Sequence, residues 1–118
     1  MGQAEKTFRI RGEDIQSLAP GLGACIASDM IAVEGRKVAF MYREDPDNEW
    51  DSGWRFLSGY ESQEYMDDAG NHAAHDVNTI ANYDREITPF LTAPSGSAFE
   101  RLGGQGPFVE VEFEPPED

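Results

Sequence analysis

Five carboxylates fall within eight residues, Glu44, Asp45, Asp47, Glu49 and Asp51. Acids packed this closely can ligate a hard cation, divide general acid and general base work between them, or offer negative charge to a cationic partner. Asp45-Pro46-Asp47-Asn48-Glu49-Trp50-Asp51 has the alternation of an EF-hand loop. That loop needs glycine at its sixth position and glutamate at its twelfth, where this chain has Trp50 and Phe56, so the spacing argues against a specific calcium site. His72, His75 and Asp76 form a second set that could take in a nearby acid. HxxHD is not HExxH, however, and Ala69 to Ala74 reads as a loop, without the outer hydrogen bonds that hold metal ligands in place.

The nucleophile search is shorter. Ser52, Ser58, Ser62, Ser95 and Ser97 offer hydroxyls, none in a G-x-S-x-G turn. Gly21-Leu22-Gly23 and Gly103-Gly104-Gln105-Gly106 lack the Lys-Ser/Thr of a phosphate loop. Cys25, the sole cysteine, lies in an apolar run and reads as a small buried hydrophobe. These residues assign no catalytic group, metal or cofactor. A metal-dependent or hydrolytic enzyme using the 44–51 carboxylates with His72 or His75 is the alternative reading, and an accessory domain held permanently by another subunit is a third.

Binding by charge is the leading reading. An unpaired carboxylate costs several kcal/mol or more to bury, so the loop is expected to stay exposed and available. Trp50, Trp54, Tyr60 and Tyr65 bracket the acids. Trp54 is expected in the core and Trp50 as an anchor for a partner, the use interfaces make of tryptophan. Glu61, Glu64, Asp67 and Asp68 extend the anionic surface.

Two strands should hold that loop. Val38, Phe40 and Tyr42 alternate with Ala39, Met41 and Arg43, and from Gly53 to Gly59 Trp54 and Phe56 alternate with Arg55, a two-residue period that reads as half-buried strands. Ala24 to Ile31 is an apolar run expected to pair with the first of them in a hairpin turned at Gly35. Short strands are predicted over Thr7 to Arg11, Ser97 to Leu102 and Phe108 to Phe113, the last an edge strand with Val109, Val111 and Phe113 on one face. Short helices are predicted over Glu13 to Leu18, Glu61 to Asp67, from an Asp76 cap through Val77, Ile80 and Ala81, and over Glu86 to Leu91 as far as Pro89 allows. Gly103 to Pro107 reads as a link. The fold class is α+β: an antiparallel β-sheet with a few short helices.

With 118 residues the chain fits a single domain, 1–118, with a core over 24–101 and loose ends at 1–6 and 114–118. The net charge of −14 is unevenly placed. Residues 1–43 carry six basic side chains against five acidic, whereas 44–118 carry three against eighteen. Such a field repels nucleic acid and anionic membranes and attracts a basic protein. A lone cysteine and the lack of a leader-like N-terminus or a long apolar run lead to the expectation of a cytoplasmic protein. Oligomeric state is not legible.

Ordered strings then narrow the reading: Met41-Tyr42-Arg43-Glu44, Pro46-Asp47-Asn48-Glu49, Asp51-Ser52-Gly53-Trp54-Arg55-Phe56, Glu64-Tyr65-Met66-Asp67, Asn78-Thr79-Ile80, Asn82-Tyr83-Asp84, and Ala93-Pro94 through Gly96-Ser97-Ala98-Phe99-Glu100-Arg101. Across them the segment Ala24 to Arg101 resembles the immunity-protein-33-like domains of bacterial polymorphic toxin systems, a family once classed as a domain of unknown function. The resemblance implies neutralisation of a cognate toxin by binding rather than by catalysis, and it carries over no catalytic residue. Gly70 to His75 departs from the family pattern, which weighs further against a histidine site. A basic toxin domain would suit the acidic charge.

Overall fold

The computed structural model describes residues 10, 15–19, 21–102 and 105–112. The expected strand at Thr7 to Arg11 and the loose ends at 1–6 and 114–118 fall almost wholly outside these, and so does Phe113. Residues 15–19 are irregular rather than helical.

Alternation builds the sheet as expected around the aromatic pair. Strand β3 runs from Asp51 to Leu57 and buries Trp54 and Phe56 completely. It pairs antiparallel with β2, Phe40–Arg43, so the acidic run is the connection between them. β2 pairs on its other side with β5, Ala98–Arg101, and β5 with β6, Phe108–Val111, which forms one edge of the sheet as predicted. Val109 is 36% exposed, so β6 does not bury its valine face as fully as its alternation suggests.

The expected hairpin between Ala24–Ile31 and β2 does not form. Strand β1, Ala24–Ser28, lies parallel to β3 and antiparallel to β4, His72–Asp76, giving the order β4-β1-β3-β2-β5-β6 with one parallel pair. The cause is a cap: the Ser28 hydroxyl accepts from the Met30 N–H and starts helix α1, Asp29–Ala32, cutting the apolar run in two. Gly35 does take a positive φ, but to end this helix, as the Gly35 and Arg36 N–H groups donate to the Ile31 and Met30 carbonyls. The stretch read as a loop over 69–74 is a 3-10 turn, Ala69–Asn71, running into β4.

Helix α2, Gln63–Asp67, starts from a Ser62 cap, and α3, Val77–Tyr83, from the predicted Asp76 cap. A 3-10 segment, Arg85–Phe90, replaces the expected helix before Leu91. Val77, Ile80 and Ala81 of α3, with Ile31, Ile87 and Leu91, pack on one face of the sheet against Cys25, Ala27, Met41, Trp54, Phe56 and Phe99. Trp54 satisfies its buried indole N–H on the Leu91 carbonyl at 3.1 Å. The opposite face carries the cross-strand row Ala74, Ile26, Arg55, Tyr42, Ala98 and Val111. The domain is α+β, a mostly antiparallel sheet with α1, α3 and the 85–90 segment on one side and the short α2 on the other, in line with the expected class.

Candidate functional site

Asp51 and Arg55 are four residues apart on one strand and therefore share a face. Arg55 grips the Asp51 carboxylate with both ends of its fork, Nη1 to Oδ1 at 3.0 Å and Nη2 to Oδ2 at 2.8 Å. Its Nε donates to Glu44 Oε2 at 2.6 Å, and Asp47 lies 3.8 Å from Nη2. The Arg55 side chain is 6% exposed, Asp51 10%, Glu44 34% and Asp47 81%, so the cluster grades from sealed to open.

The loop folds on that cluster. Asp51 also accepts from the Asp47 and Gly53 N–H groups, and the Asn48 side-chain oxygen accepts from the Trp50 and Asp51 N–H groups. Two glycines let backbones approach. Gly53 has φ +90, and a Cβ there would collide with the Glu44 carbonyl oxygen. Gly23 has φ +105 and lies against the Trp50 carbonyl, which accepts from the neighbouring Ala24 N–H at 2.7 Å. The hydrogen bonds from Arg55, aided by the two backbone N–H groups, hold the Asp51 carboxyl well below the usual carboxylate range despite its burial. Burial would lower the Arg55 pKa, and the bonds to Asp51 and Glu44 outweigh it and raise it.

The expectation of a wholly exposed, uncompensated loop is thus corrected for two residues. Asp51 and Glu44 are ion-pair partners of a buried arginine, because a strand arginine on their own face needs counter-charge. Asp45, Asp47 and Glu49 remain exposed, and Trp50 is 71% exposed beside an open cleft of about 420 Å³ bordered by Leu22, Glu49 and Asp76. Alternation had paired Arg55 with the solvent side of its strand. The signal that could have revealed its role was the even spacing of Asp51 and Arg55 on that side.

The second set of acids sits at the other end of β3 and does not join the loop. Glu61 is half-buried and accepts from the Ser58 N–H and hydroxyl and the Gly59 N–H, tying the turn after β3. Burial pushes its pKa up, but these bonds prevail and lower it. Glu64 is exposed, Asp67 accepts from Gln63, and Asp68 caps the 3-10 turn.

His72 pairs across the sheet with Ser28 and His75 with Cys25, so the two imidazoles start from opposite faces of β4. Among the described residues no group of three or more His, Cys, Asp or Glu is placed to hold a metal ion. Cys25 is buried, as expected, and burial pushes its thiol up, leaving it protonated near neutral pH. No described helix is long and apolar enough to cross a membrane.

A different buried arginine organises the far end of β2. Arg101 pairs with buried Asp84 and with Glu86 and donates to the Val38 and Gly106 carbonyls, while Asp84 accepts from the Val38 N–H and caps the 3-10 segment. Sequence reasoning missed this pair, whose partners lie on separate elements.

No curated protein and no solved structure matches the chain. The immunity protein Imm33 domain does match, over residues 25–112, past Arg101 and well over half of the 118 residues. The chain therefore belongs to the Imm33 family of immunity proteins.

Proposed function

We propose that this Imm33 protein neutralises a cognate toxin by direct, stoichiometric binding in the cytoplasm, that it transforms no substrate, and that the toxin surface it meets is basic. Trp50 carries this reading: a tryptophan 71% exposed, among exposed Asp45, Asp47 and Glu49, on a loop tied down by Arg55 and Asp51. An ordered loop keeps low the entropy lost on docking, and a large indole beside unpaired charge is what a recognition surface uses for its central energy. Asp45 and Glu49 make no ion pair among the described residues, so their charge is available to a partner. The lone cysteine, held as a buried thiol, suits a reducing compartment.

Titration of toxin candidates from neighbouring genes tests the reading. Stoichiometric binding predicts that toxin activity falls linearly to zero near one equivalent, with a complex that co-elutes. Protection by a small fraction of an equivalent would show turnover and overturn the proposal, as would failure to form a complex.

A further inference from the structure

The helices α1 and α3 and the 85–90 segment all pack on one side of the sheet, and α2, on the other, buries none of its residues. That second side carries an apolar patch over β1, β4 and α2, beside the Arg55 ion pairs on β3. Ile26 is 39% exposed and is flanked in register by exposed Ala74, while Met66 of α2 borders two grooves. One, about 390 Å³, runs between Met66, Ile26, His72 and Ala74. The other, about 370 Å³, runs between Met66, Leu57 and Phe40.

The charged residues bordering both grooves are acidic. Of the three arginines in the described strands, Arg43 turns to the helix side over Trp54 and Arg101 to buried Asp84, leaving Arg55 on the second side. Arg55 is covered by Glu44 and Asp51. The grooves are bordered by Glu61, Asp67 and Glu100, and the 44–51 acids lie beyond Arg55. An apolar patch with an anionic border is the complement of a cationic protein surface.

We propose that this side of the sheet, centred on Ile26, Ala74 and Met66, is the seat on which the basic toxin docks, with the 44–51 loop as its steering edge. The inference rests on the binding function proposed above and assigns separate tasks to separate residues. Unpaired loop acids accelerate encounter, and the apolar patch retains the partner, so substitutions there act on dissociation. Met66, unbranched and unburied on α2, lets the grooves adjust to what they receive.

Binding kinetics against a catalytically inactive form of the toxin candidate so titrated test it, using Ile26→Ser, Ala74→Arg and Ala74→Glu, each checked for an unchanged melting temperature. Ile26→Ser should dissociate about tenfold faster with association nearly unchanged. Ala74→Arg should weaken binding by about tenfold or more, and Ala74→Glu by clearly less, since two long side chains of opposite charge separate repulsion from steric hindrance. Should Ile26→Ser fail to fold, the Ala74 pair on the exposed edge strand still decides. Wild-type dissociation rates in all three variants, with a complex still formed, would overturn the docking face and leave the binding function standing. No complex with the wild-type chain would remove both. A free chain that elutes as a dimer and becomes monomeric with Ile26→Ser would show that a second copy occupies the face, which also overturns the proposal.

Discussion

Arg55 and Arg101 are both strand arginines with nearly inaccessible side chains, and each is hydrogen-bonded or ion-paired to more than one carboxylate, yet the two clusters have opposite settings. Arg101 meets Asp84, whose side chain is 1% exposed, and the pair is stitched to the backbone through Val38 and Gly106. Its cation also lies 4.3 Å from the centre of the Phe108 ring. Arg55 meets Asp51 and Glu44 closely at the root of a loop on which Asp47, 81% exposed, is held only at 3.8 Å and Asp45 and Glu49 make no ion pair among the described residues. One cluster closes on itself and joins elements distant in sequence. The other neutralises only the base of the loop and leaves Asp45, Asp47, Glu49 and Trp50 held outward. The same ion-pair chemistry is structural where it is closed and prepares a surface where surplus charge remains.

Breaking the closed cluster should cost most. Arg101→Met leaves Asp84 buried without its counter-charge, and chemical denaturation should show a loss of about 3–5 kcal/mol. Gly53→Ala comes next, since a side chain at φ +90 would meet the Glu44 carbonyl; a loss of roughly 1–3 kcal/mol is expected, together with a loosened loop seen as faster amide exchange at 47–51. Arg55→Met should destabilise less than Arg101→Met, because the carboxylate it strands, Asp51, is 10% exposed where Asp84 is 1%, and equilibrium unfolding of the two variants side by side checks that order.

Acid sharpens the comparison further. The folded-state pKa of Asp51 lies below its unfolded value, so its contribution to stability is complete above about pH 4 and is lost as pH falls through the lowered folded value. Urea midpoints measured from pH 5 down to pH 2 should fall for the wild type, and Asp51→Asn should start less stable and show a shallower decline. The smallest effect on stability belongs to the outward acids: changing Asp45, Asp47 and Glu49 to Asn, Asn and Gln should leave it within about 0.5 kcal/mol of wild type.

The strands bracketing the loop were legible because Trp54 and Phe56 keep the two-residue period of a half-buried strand, and α3 was legible from the Asp76 cap and the spacing of Val77, Ile80 and Ala81. The place of β1 was not. An apolar run followed by Gly35 suits a hairpin, and only the Ser28 cap, a local competitor for the backbone, turns the run into a strand and a helix and sends β1 alongside β3. The loop's exposure was legible at Asp45, Asp47 and Glu49 but not at Asp51, since charge density alone does not show that an arginine four residues on will draw one carboxylate inward. Asp84 and Arg101 escaped notice because nothing local marks a pair formed between positions seventeen apart in the chain.

The central claim is that the outward acids of this loop, and not the closed cluster behind Arg101, carry the attraction to a basic toxin. The most direct test is the association rate of the Asp45→Asn, Asp47→Asn, Glu49→Gln variant with the toxin domain, measured against salt concentration. Association should be about tenfold slower than wild type at low salt, converging with it at high salt, with dissociation little changed. An association rate equal to wild type throughout the salt series would contradict that claim.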